Sequence, residues 1–300
     1  MISLLLRGMN YSQLRGQFNE ELVKLYDKEE SDSLFYFALD HVTGMKRNEV
    51  LLNASGEIQG TQLAGLTALL KQLSLGVPIQ HIVGEAEFYG MKFRVNESVL
   101  IPRVETEELV DWIIKEEANL FRTENRNILD VGTGSGCIAI SLKKHLTGSK
   151  VSALDMSPAA ILVARQNAEQ NGESTIDFIE ADIRYFSCAT KYNVVVSNPP
   201  YITQEEKMEM HENVLRYEPH IALFVDDQDP LLFYKAIADF SLSNLEAGGS
   251  LFFEINQAYG PETIDMLEQK GFKEVVLRKD MQGKDRMIWC RLPNSADGIG

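Results

Sequence analysis

Asn127-Ile128-Leu129-Asp130-Val131-Gly132-Thr133-Gly134-Ser135-Gly136 decides the fold. An apolar strand runs straight into a Gly-x-Gly-x-Gly loop, and a helix opens behind it. Glycines at such a bend let the backbone turn sharply and approach a ligand with no side chain between. Alone the motif is weak, because nucleotide and phosphate sites use it too. No Lys follows the last glycine, so it is not a P-loop.

Strands and helices alternate outward from this loop. Val151 to Leu154, Ile176 to Ile179, Val194 to Ser197 and Ser250 to Ile255 read as further strands. A long helix from about Pro230 to Leu245 precedes the last of these. Two closing strands, near Val275 and Ile288, lie too close in sequence for a helix between them and read as an antiparallel edge pair. The pattern predicts an α/β domain, a doubly wound, Rossmann-like sheet of seven strands covered on both faces. Upstream, Tyr11, Leu14, Phe18, Leu22 and Leu25 recur at helical spacing. Leu34, Ala38, Leu39 and Val42 do the same after Ser31-Asp32, read as capping residues, and Leu63, Leu66, Leu70 and Leu73 mark a helix stopped by Gly76 and Pro78. Residues 1–78 are therefore expected to be a helical-bundle domain. Residues 79–103, with Phe88-Tyr89, Phe93 and Val95, read as a β-hairpin linker. A helix is expected from Glu107. Residues 104–293 form the α/β domain and 294–300 a disordered tail.

Acids around the loop narrow the ligand. Asp155 closes the second strand, roughly 20 residues on, where a carboxylate accepts from both ribose hydroxyls. Asp182 ends the third, where it can take an adenine amino hydrogen, with Ile183 as an apolar wall beside the ring. A nucleoside with an uncharged linkage suits an acidic pocket better than a pyrophosphate does. S-adenosylmethionine, carrying a sulfonium and an ammonium, fits. The cofactor-binding candidates are Gly132, Thr133, Gly134, Ser135, Gly136, Asp155, Asp182, Ile183 and Asn198.

Asn198-Pro199-Pro200-Tyr201 leaves the fourth strand at the edge where open α/β sheets bind ligands. Two prolines fix two φ angles and remove two donors, leaving a stiff corner of acceptors. Such a corner matches a planar NH2 group. One hydrogen bonds to the Asn198 oxygen and the other to the Pro199 carbonyl, while Tyr201 packs on the face. Asn198, Pro199 and Tyr201 are the catalytic candidates, and Asn198 through Tyr201 the substrate contacts.

The formal net charge of −15 argues against wrapping a phosphate backbone, and no nucleic-acid partner is expected. Cys137, Cys188 and Cys290 are far apart, with no Cys-x-x-Cys spacing, so neither a disulfide framework nor a metal site is expected. The apolar run at Leu4-Leu5-Leu6 is too short for a signal peptide or membrane span. A cytoplasmic monomer away from membranes is the expectation.

Further motifs carry a family resemblance. Gln80-His81-Ile82-Val83-Gly84, Phe88-Tyr89-Gly90, Val99 through Glu107, the glycine loop, Asn198 to Ile202, Arg216-Tyr217-Glu218-Pro219 and Ala222-Leu223-Phe224 resemble release-factor glutamine methyltransferases of the HemK type. The likeness spans nearly all the chain after residue 75 and, more loosely, the helical front. It implies N5-methylation of the glutamine in the Gly-Gly-Gln loop of peptide chain release factors, and a helical domain that helps dock that protein. It also implies that Arg103 and Glu105 shape the cofactor pocket or linker, unless they form a structural ion pair. Val104 stands where proline is usual, and His81 where an aromatic is usual. Two rival readings are a nucleic-acid amino methyltransferase acting on a flipped adenine or guanine, and a noncatalytic module that binds the cofactor or a release factor.

Overall fold

A computed structural model describes residues 8–120, 125–209 and 212–294. Of the residues expected to form a tail, 294–300, all but Asn294 lie outside the described residues. The chain divides into two compact units, each built on its own core.

The first unit begins with α1 (Tyr11–Leu22), α2 (Lys28–Thr43), α3 (Arg47–Leu52), α4 (Gly60–Leu73) and α5 (Ile79–Val83). Tyr11, Leu14, Phe18 and Leu22 of α1 are buried against Phe35 and Leu39 of α2 and Leu63, Leu66 and Leu70 of α4. The helical unit departs from the sequence expectation in two places. Asp27, not Ser31-Asp32, caps α2, its side chain accepting from the Glu30 amide. Ser31 and Asp32 sit a turn inside, and Asp32 pairs with Arg15. Ile79–Val83, expected in the hairpin linker, is helical, because the αL residue Gly84 ends a short turn started after Pro78.

The second unit starts with an antiparallel hairpin, β1 (Glu85–Phe88) and β2 (Met91–Arg94). There follow α6 (Val104–Leu120), β3 (Asn127–Val131), α7 (Cys137–His145), β4 (Lys150–Asp155), α8 (Pro158–Gln170), β5 (Asp177–Glu180) and β6 (Tyr192–Ser197). Then α9 (Glu212–Tyr217) groups with the helical unit, where Asn213 Nδ2 donates to Tyr26 Oη and Tyr217 Oη to the Leu75 carbonyl. Back in the second unit come α10 (His220–Leu223), α11 (Leu232–Asn244), β7 (Leu245–Glu254), α12 (Gly260–Gln269), β8 (Lys273–Lys279) and β9 (Asp285–Arg291).

The seven strands run in the order β5-β4-β3-β6-β7-β9-β8. Five are parallel, and β9 lies antiparallel between β7 and β8. Side chains alternate as a sheet buried on both faces requires. Ile128, Val194, Val196 and Phe252 pack on one side with α6 and α7, and Leu129, Val131, Val195, Leu251 and Phe253 on the other with α11 and α12. No helix among the described residues is long and apolar enough to cross a membrane.

The topology fixes where a ligand can sit. From β3 the chain steps outward to β4 and β5, then returns to place β6 on the other flank of β3. At that switch in direction the connecting loops diverge and leave a crevice. Val131 pairs with Ser197, so the glycine loop and the Asn-Pro-Pro-Tyr corner leave the sheet at the same level on adjacent strands.

Candidate active site

Gly132, Gly134 and Gly136 all take positive φ. At Gly134 (φ +54°) an added Cβ would meet nothing within 4 Å, so the backbone faces open space there. At Gly136 (φ +82°) it would lie 3.0 Å from Ile140 and 3.2 Å from Ala164, so the third glycine lets α7 and α8 close up. Asp130, fully buried, folds the loop from beneath: its Oδ2 accepts from the Thr133 hydroxyl at 2.6 Å and the Ala139 amide at 3.2 Å. Burial pushes the Asp130 carboxyl up to about 7, against those two hydrogen bonds.

Asn167 of α8, with no exposed surface, ties this loop to the hairpin. Its Oδ1 accepts from the Arg94 amide at 2.6 Å, and its Nδ2 donates to the Arg94 carbonyl at 3.0 Å and the Ser135 carbonyl at 2.9 Å.

A cleft opens over the loop and reaches the Asn-Pro-Pro corner. It is lined by Gly132 through Ser135, Asp155, Asp182, Ile183 and Asn198 through Pro200, with Leu154, Phe233 and Ile237 as apolar walls. The structure therefore brings together all the cofactor candidates except Gly136, which lies behind the loop. Asp155 accepts from the Gly134 and Ser157 amides, both at 2.9 Å, and burial raises its carboxyl. Asp182 differs from expectation in two ways. β5 ends at Glu180, so Asp182 stands in the following turn, and both its oxygens already accept from Arg184. That guanidinium holds the Asp182 carboxyl below its ordinary value. Ile183 is buried beside it.

The corner is held from behind. Ile202 donates to the Leu223 carbonyl and accepts from Val225, both at 2.9 Å, in a short parallel bridge. Asn198 Nδ2 donates to Thr106 Oγ at 3.2 Å, and its oxygen has no partner among the described residues. Tyr201 is turned away from the cleft: its hydroxyl donates to Glu254 at 3.2 Å, and it is not among the lining residues. Burial and the Glu254 charge push the Tyr201 phenol far above its usual range. Arg103 pairs with Glu218, whose side chain is 1% exposed and which also accepts from the Ile101 amide. Of the two charges weighed in the linker, Arg103 thus has a structural partner more than a hundred residues away.

Thr106, Glu254 and Asn256 were not singled out by sequence. α6 begins at Val104 rather than Glu107, which places Thr106 in its first turn. The one available signal was Glu254, an acid closing the apolar run Leu251-Phe252-Phe253 at the same edge as Asn198.

Among the described residues no group of three or more His, Cys, Asp or Glu side chains could hold a metal ion. The donor set fits a nucleoside bearing a positive charge: the half-buried Asp155 carboxylate for hydroxyls, apolar walls for a ring, backbone amides and no lysine.

Known proteins resemble this chain over most of its length. Residues 115–219 match the family described as methyltransferase small domain, and residues 13–84 the PrmC N-terminal domain. A release factor glutamine methyltransferase of Flavobacterium psychrophilum is 47% identical over 275 residues, covering 91% of this chain and 96% of that protein. One of Bacteroides thetaiotaomicron is 41% identical, covering 92% and 98%. A third, of Streptococcus pneumoniae, is 36% identical, covering 93% and 98%.

Proposed function

The chain belongs to the release factor glutamine methyltransferases, and from that premise we propose that it methylates the side-chain amide nitrogen of the glutamine in a release factor's Gly-Gly-Gln motif, with S-adenosylmethionine as donor. The observation that carries the reading is the Asn198 oxygen, without a partner among the described residues, at the cleft end of a proline-stiffened corner, level with the glycine loop.

When bound, S-adenosylmethionine supplies an electrophilic methyl on a sulfonium. Asp155 and the backbone of Gly132 through Ser135 would hold its nucleoside, with Ile183 and Phe233 against the ring. Asp182, engaged by Arg184, would take part only by sharing its oxygens. A carboxamide nitrogen is a poor nucleophile because its lone pair is delocalised into the carbonyl. The corner counters this by orientation: the Asn198 oxygen and the Pro199 carbonyl take the two N–H hydrogens and aim the nitrogen. Positioning and exclusion of water are worth roughly 7–11 kcal/mol in intramolecular models. The same acceptors stabilise positive charge growing on nitrogen as its bond to the methyl carbon forms. The methyl would leave its sulfur, which keeps the bonding pair as a neutral thioether, and one of the two nitrogen hydrogens would then pass to solvent as a proton. Tyr201 supports the corner from behind through Glu254, a role that replaces packing on the substrate face.

The deciding experiment is mass spectrometry of the Gly-Gly-Gln peptide cut from intact release factor after incubation with enzyme and S-adenosylmethionine. A gain of one methyl on the glutamine is the expected result. Methyl on nucleic acid, or on nothing, would overturn the reading in favour of a base methyltransferase or a binding module.

A further inference from the structure

The Asn198 carboxamide can show the cleft either its oxygen or its NH2 group, and only the oxygen can accept from a substrate N–H. The choice is made behind the corner. Thr106 Oγ donates to Glu254 Oε2 at 2.6 Å, and Tyr201 Oη donates to Glu254 Oε1 at 3.2 Å. An ionised carboxylate only accepts, so each hydroxyl commits its single hydrogen to Glu254. Toward Asn198, Thr106 has only a lone pair left, and Nδ2–H fills it at 3.2 Å. The amide oxygen is thereby turned outward.

Resting on the reading of this site as an amide methyltransferase, we propose that Glu254 and Thr106 are positioning residues. The buried carboxylate sets the direction of a two-bond relay that points the Asn198 oxygen at the substrate nitrogen.

The setting keeps the relay rigid. Glu254 is 1% exposed and Thr106 3%. Phe253 pairs with Ser197 across β7 and β6, so Glu254, one residue on, is level with Asn198; on its other side it pairs with Met287 of β9. Two residues further, Asn256 Nδ2 donates to the Tyr201 carbonyl at 3.0 Å and to Glu206 at 2.9 Å. Both ends of the tetrapeptide are thus held by the tip of one neighbouring strand. Burial raises the Glu254 carboxyl, while Thr106, Arg286 and Tyr201 act to keep it charged. A side chain at 254 able to donate would let Thr106 donate onward and the Asn198 amide turn over.

The test uses the full chain with intact release factor and compares Thr106→Val, Thr106→Ser and Glu254→Gln. Three quantities are read: kcat and KM, S-adenosylhomocysteine affinity by calorimetry, and hydrogen exchange of the Asn198 side-chain NH2 by NMR. T106V keeps the shape of threonine but loses the hydroxyl, so kcat falls about 30-fold while KM and S-adenosylhomocysteine affinity stay within about threefold. Protection of the Asn198 NH2 falls about tenfold in the same variant. T106S restores turnover and protection, and E254Q behaves as T106V. Wild-type turnover and protection in T106V, or a T106S defect as deep as that of T106V, would overturn the relay. If the wild type methylated no release factor, the reaction assigned to the site would fall, and amide exchange alone would decide the relay: unchanged protection in T106V refutes it, lost protection upholds it.

Discussion

In the proposed reaction the chemistry at Asn198 depends on one oxygen. Asn198→Ala removes the acceptor proposed to orient the substrate, and is expected to lower kcat about 100-fold or more while cofactor affinity changes little. Equal losses in kcat and in calorimetric cofactor affinity would assign Asn198 to binding instead. Asp155→Ala is the converse case. It removes the proposed ribose acceptor and frees the Gly134 and Ser157 amides, so cofactor affinity should weaken by about 2 kcal/mol, roughly 30-fold. Calorimetry showing unchanged affinity would contradict the assignment. Asp130 makes a pH prediction. Its folded-state pKa, about 7, lies above the usual carboxylate value, so the folded protein holds a proton that the unfolded chain releases. Stability therefore falls as pH rises from about 4 to 7, with a slope of up to about 1.4 kcal/mol per pH unit from this group. Asp130→Asn should flatten that fall in apo-protein denaturation curves; an identical pH slope would remove Asp130 as its source. The residues legible in sequence are those whose meaning is local: three glycines in five positions, two prolines after an asparagine. Thr106 and Glu254 carry no such mark, because each matters only through partners far away in sequence, 148 positions apart for the pair itself.

Among the elements, the connection between hairpin and glycine loop is the most exposed to test. Asn167, itself fully buried, supplies three hydrogen bonds there. Asn167→Ala leaves the Arg94 amide and carbonyl and the Ser135 carbonyl without these partners, which should cost about 3 kcal/mol, near 10 °C in melting temperature. Differential scanning calorimetry showing a drop under about 2 °C would mean that water replaces all three. The strands of the sheet were legible because unbroken apolar runs such as Val194-Val195-Val196 fit a strand buried on both faces. Helix starts were less so. Asp27 lies before the apolar stripe that marks α2, and α6 begins three residues ahead of its expected position, in the Val104-Glu105-Thr106 turn where first-turn acids favour a helix.

For the whole molecule, the bulk charge of −15 argues against affinity drawn mainly from a phosphate backbone, which leaves recognition of the release factor to local surface. We propose that the helical unit contributes to that recognition. A free Gly-Gly-Gln peptide is then expected to show kcat/KM at least about 100-fold below intact release factor, mostly in KM. Equal kcat/KM for the two in the same assay would leave the helical unit no docking role. That α9 belongs to this unit was not readable, since the sequence places it deep within the α/β half. The strand order has another consequence. Because β9 is wedged between β7 and β8, β8 has no ladder to join until the strand made after it exists. Only a chain that has reached β9 can complete this margin. A polypeptide interrupted after Asp280 would carry β8 as an orphan and leave the flank of β7 bare, a sticky edge inviting other chains to pair.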